Sequence, residues 1–60
     1  MTTYAEKQAI IVQLRRQVLA CMETGQEGMA RTIITELAEF DLQASRALRI
    51  EVVKAYGTDL

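Results

Sequence analysis

From Tyr4 onward the apolar residues of this chain repeat at helical spacing. Tyr4, Ile11, Leu14, Val18, Cys21 and Met22 fall on one face at 100° per residue. Ile10, Val12 and Leu19 widen that stripe to about 200°, against the roughly 100° needed to pack on one neighbour. Glu6, Ala9, Gln13, Arg16, Gln17, Ala20, Glu23 and Thr24 make up the wet face. Thr3 stands three residues ahead of Glu6, the spacing at which a hydroxyl and a carboxylate each satisfy a free backbone N–H at a helix start. The pattern predicts a first helix over 3–24 that touches more than one other helix.

The stretch ETGQEGMA, residues 23–30, interrupts the pattern with Gly25 and Gly28. Gly25 can take the left-handed conformation that ends a helix. The alternative is that Thr24 caps the next helix with Glu27 as its partner three residues on. Both readings place a reversal here, with Gly25 as the hinge and Gly28 permitting close approach to the first helix. Beyond it, Ala30, Ile33, Ile34, Leu37, Phe40, Ala44, Leu48, Val52 and Ala55 stay in phase, which predicts one helix over 27–56. The rival is a break at Asp41, capping a third helix from Leu42. Gly57 is the stop, and the last three residues read as a frayed tail.

The expected fold is all-α: one domain, 1–60, formed as an antiparallel two-helix hairpin, with a three-helix arrangement broken near Asp41 as the alternative. A chain of 60 residues buries only about 60% of its unfolded surface and is marginal alone. The usual remedies are disulfides, a metal or a partner. The single cysteine, Cys21, cannot bridge within the chain, and there is no histidine to hold a metal. Leu42, Ile50 and Val53 form a second apolar strip opposite the main face of the second helix. Pairing two hairpins buries that strip beside the excess arc of the first helix. A homodimeric four-helix bundle follows, with Ile10, Ile11, Leu14, Val18, Leu19, Met22, Leu42, Ile50 and Val53 at the interface.

Charge refines this picture. Arg15 lies inside the apolar arc, and Asp41 and Glu51 lie on the core face of the second helix. Arg15 can snorkel, but Asp41 is too short to, so it should mark a kink, a cap or a paired site. An Arg15–Asp41 or Arg15–Glu51 pair that fixes register is the sharper expectation. Residues 23–41 carry Glu23, Glu27, Glu36, Glu39 and Asp41 against Arg31, whereas 42–56 carry Arg46, Arg49 and Lys54 against Glu51. One end of the molecule should be acidic and the other mildly basic.

No catalytic constellation is legible. Cys21 has no histidine to act as its base and faces the core, where it is an inert small hydrophobe. GQEG lacks the Lys-Ser/Thr ending of a phosphate loop and follows no strand. No cofactor, no metal and no enzymatic activity are expected. The lone thiol and the absence of a signal peptide fit the cytoplasm. No apolar run reaches the ~18 residues of a membrane span.

Two families share features with the chain. GQEGMARTIITELAEFD resembles the turn and second helix of a tetratricopeptide unit, with Gly25, Ala30, Leu37 and Ala38 at similar spacing. The likeness covers about half of one unit and lacks its closing proline, so it reflects shared helix-hairpin packing. In size and layout, with Glu6-Lys7 near the start and Tyr56-Gly57 near the end, the chain is also similar to the Rop family of plasmid RNA-binding regulators. That resemblance implies a dimer of helical hairpins binding paired RNA loops along its first helices. Lys7, Gln13, Arg16 and Gln17 would then contact nucleic acid. The leading expectation is instead a small interaction protein acting through protein–protein contacts, as adaptors, inhibitors and phage- or plasmid-borne regulators do.

Overall fold

The computed structural model describes residues 3–60, which form three helices: α1 (Tyr4–Glu23), α2 (Glu27–Phe40) and α3 (Leu42–Tyr56). No strand occurs among the described residues. α1 starts where the sequence places it, with the Thr3 hydroxyl accepting the Glu6 N–H at 3.1 Å. At its end Gly25 has φ +76°, the left-handed region in which an L side chain is strained. Its N–H donates to the Met22 carbonyl at 3.3 Å, and the Gln26 N–H donates to the Cys21 carbonyl at 2.7 Å. These bonds satisfy carbonyls that the end of the helix leaves free. Thr24 therefore does not cap α2; its hydroxyl donates back to the Ala20 carbonyl at 3.1 Å. The N-cap of α2 is Gln26, which makes no side-chain capping bond.

The continuous helix expected over 27–56 is broken at Asp41. There the backbone is extended, at φ −154° and ψ 102°, and the Asp41 carboxylate accepts the Ala44 N–H at 3.1 Å to cap α3. Apolar phase misses the break for a physical reason. Ala30, Ile34 and Leu37 of α2 are buried, as are Ser45, Leu48 and Val52 of α3. One extended residue redirects the axis and leaves both buried stripes in the same phase. Gly57, left-handed at φ +69°, closes α3 with its N–H on the Val53 carbonyl at 2.8 Å.

Val18, Cys21 and Met22 of α1 join Ala30, Ile34 and Leu37 of α2 and Leu48 and Val52 of α3 in one core. α2 is the main neighbour of both other helices, while α1 and α3 touch less and are linked along their edges by two ion pairs. Because α3 turns back beside α2, residues 42–56 run alongside 27–40. The charge asymmetry of the sequence thus becomes a difference between faces rather than between ends. Gly28 supplies no close approach: a Cβ there would meet nothing within 4 Å.

Candidate functional site

Two ion pairs tie α3 to α1 in parallel register. The Lys7 ammonium lies 3.2 Å from Asp41 at the start of both helices. About two turns further along α1, the Arg15 guanidinium grips Glu51 at two points, Nε on Oε2 at 3.1 Å and Nη2 on Oε1. Each carboxylate is held below its ordinary pKa. For Asp41 the main cause is the Ala44 N–H and the next is Lys7; for Glu51 it is the hydrogen bond from Arg15. Arg15 is correspondingly held above its ordinary value by the same hydrogen bond.

The expected Arg15–Asp41 pair is not formed, since each residue takes a different partner. Nor is Arg15 buried, with a side chain 47% accessible. Its position within the apolar arc of α1 is explained by the edge of that arc facing Glu51 rather than the core. Lys7 also lies 5.9 Å from the centroid of the Phe40 ring, a cation–π distance. No sequence signal pairs Lys7 with Asp41 across 34 positions; only the chain reversal brings them together.

One buried polar contact falls outside the expected site residues. Ser45 is 3% exposed, and its hydroxyl donates to the Ile34 carbonyl at 2.9 Å, joining α3 to the middle of α2. Its spacing from Leu48 and Val52 is the available signal, masked by the assumption that a serine belongs outside.

The residues expected at an intersubunit interface divide in two. Val18 and Met22 lie in the core of their own chain, and Ile11, Leu14 and Leu19 pack partly against it. Val18 and Met22 are therefore not on an open face, and Ile11, Leu14 and Leu19 are in part already covered by their own chain. Ile10 is exposed on α1, whereas Leu42, Ile50 and Val53 stand 52%, 56% and 40% exposed on α3. Around this apolar strip lie Arg46, Arg49 and Lys54, all exposed. The carboxylate within α3, Glu51, points to α1 instead. The solvent face of α3 is thus apolar and cationic, and α2 carries Glu36 and Glu39 on its own exposed surface.

Of the candidate nucleic-acid contacts, Gln13, Arg16 and Gln17 are exposed along α1, while Lys7 is engaged by Asp41. Gln13 and Arg16 border a shallow open hollow with Ala5, Ala9 and Val12. Cys21 is buried as a free thiol. Among the described residues no group of three or more Cys, Asp or Glu side chains is placed to hold a metal ion, and no helix is long and apolar enough to cross a membrane. Comparison with protein-family models, with curated proteins and with solved structures finds no match for this chain.

Proposed function

We propose that this chain is a small, non-catalytic helical interaction protein that regulates or organises through protein–protein contacts, including contacts with its own copies. The observation that carries the reading is the solvent face of α3, where Leu42, Ile50 and Val53 are exposed among Arg46, Arg49 and Lys54. Exposed aliphatic side chains gain most from a partner surface that removes them from water, at about 25 cal/mol per Å². Cations set among them select the partner by charge. Phosphate backbones give aliphatic groups no such reward, since binding there is dominated by counterion release to lysine and arginine.

Titration with heparin and with a duplex RNA across a salt series tests the reading. The protein-contact function expects no binding with a steep salt slope. RNA binding that collapses with salt and is lost in Arg16→Ala and Gln17→Ala variants overturns it in favour of the nucleic-acid alternative.

A further inference from the structure

Two strips on this molecule match one another, exposed at every position except Ile33, which is half-buried against the core. On α2, Met29, Ile33, Glu36 and Phe40 follow one another at steps of four, three and four residues, and so lie along one face. On α3, Leu42, Arg46, Arg49 and Val53 follow at the same steps. Each strip is closed at both ends by an exposed apolar side chain: Met29 (57%) and Phe40 (39%) on α2, Leu42 and Val53 on α3. Between those ends α2 presents Glu36, with Glu39 beside it, and α3 presents Arg46 and Arg49. Among the described residues the ion pairs are Lys7–Asp41 and Arg15–Glu51, and none of these four charges takes part in either.

We propose that the α3 strip docks antiparallel on the α2 strip of a second copy of this chain. In that register Val53 meets Met29, Arg49 meets Ile33, Arg46 meets Glu36 and Leu42 meets Phe40. Arg49 then reaches Glu36 from one turn away, and Glu39 flanks Arg46 on the other side. Apolar contacts thus bracket an opposite-charge centre, an arrangement that sets both affinity and register. The inference rests on the protein-contact reading and names the partner within it.

Charge and geometry also select against the alternatives. Pairing α3 with α3 of another copy sets Arg46 and Arg49 against their own kind, and pairing α2 with α2 does the same to Glu36 and Glu39. Within one chain the strips cannot meet. The α2 strip passes through Phe40, whose ring lies near the α1 residue Lys7. The α3 strip lies roughly opposite Glu51, which faces α1, at 100° per residue. The strips therefore point to different sides of the molecule. Each copy offers one of each, so association is head-to-tail and continues to a ring or an open chain.

Sedimentation velocity over a concentration series, at low and at near-molar salt, tests this together with disulfide trapping in a Cys21→Ala background. Wild type is expected to form species that grow with concentration and dissociate in salt. Glu36→Lys with Glu39→Lys, or Arg46→Glu with Arg49→Glu, weakens association about tenfold or more, and mixing the two double variants restores it. Met29→Cys mixed with Val53→Cys cross-links faster than either variant does alone. Circular dichroism confirms that each variant is helical; where a reversal unfolds the chain, Glu36→Gln and Arg46→Gln replace it, with the same direction expected. A wild type that stays monomeric at low salt overturns the self-docking, as does preferential Val53–Val53 cross-linking. Neither result touches the protein-contact reading, which the RNA titration judges separately.

Discussion

The carboxylate of Asp41 serves two helices at once, with one oxygen accepting the Ala44 N–H at 3.1 Å and the other 3.2 Å from the Lys7 ammonium. The first contact starts α3, and the second fixes where α3 begins along α1. Replacing Asp41 with alanine removes both, and the melting temperature is expected to fall by several degrees. Asparagine is a good helix cap without charge, so Asp41→Asn should recover part of that loss, and Lys7→Gln should resemble Asp41→Asn. Thermal unfolding followed by circular dichroism ranks the three variants. An unchanged melting temperature for Asp41→Ala contradicts the double role.

Acid should weaken the fold through the same contacts. Asp41 and Glu51 both have folded pKa values below their ordinary ones. A carboxyl depressed in this way stabilises the fold at pH above its unfolded value, and that contribution is lost as pH falls through the folded value. The loss therefore begins near about pH 4, where unfolded carboxylates start to bind protons, and proceeds downward. Urea midpoints across this range should decline for wild type and decline less steeply for Asp41→Asn combined with Glu51→Gln. Parallel curves for the two proteins count against the assignment.

These contacts show how far the chain explains itself. Gly25 and Gly57 announce their turns because only glycine takes a positive φ cheaply, and both sit where a helix stops. Thr3 and Asp41 announce caps because a short polar side chain before an apolar run has few other uses. Periodicity does not decide between one long helix and two, since Leu37 and Leu48 remain in phase across the break. It reports which face is buried and is blind to the direction of the axis. The wide apolar arc of α1 suggests an intersubunit surface, but Val18 and Met22 are instead taken into the chain's own core. Contacts such as Lys7–Asp41 join distant positions and carry no local pattern. The strips on α2 and α3 become visible only once exposure separates Met29 and Phe40 from the buried residues beside them.

The Ser45–Ile34 bond gives a third prediction. A hydroxyl donating inside the core contributes about 1 kcal/mol net, so Ser45→Ala should destabilise by roughly that amount. Ser45→Val adds bulk as well as removing the bond, and overpacking at so closed a position costs about 1–3 kcal/mol. Leu37→Ala sets the scale, since emptying a fully buried leucine site costs about 2–5 kcal/mol. In a domain this small that variant should be largely unfolded at room temperature. Chemical denaturation orders the series as wild type, Ser45→Ala, Ser45→Val and Leu37→Ala, and a Ser45→Val protein as stable as wild type contradicts the packing.

The two glycines of ETGQEGMA should respond to alanine in opposite directions. Gly25 has open space around it, so no clash is involved, but its φ of +76° imposes a left-handed cost of about 1–2 kcal/mol on any residue with a Cβ. Gly25→Ala is therefore destabilising through backbone strain, and Gly25→Asn should be milder because asparagine tolerates this region better. Gly28 lies inside the first turn of α2, with negative φ and nothing within 4 Å of where an added methyl group would sit. There alanine only restricts the unfolded chain and favours the helix, so Gly28→Ala should stabilise by about 0.5 kcal/mol. Equilibrium unfolding of the two single variants and their double separates the effects. Opposite signs that add in the double variant identify Gly25 as the hinge; a loss of stability at Gly28 instead requires a close contact between α1 and α2 at that position.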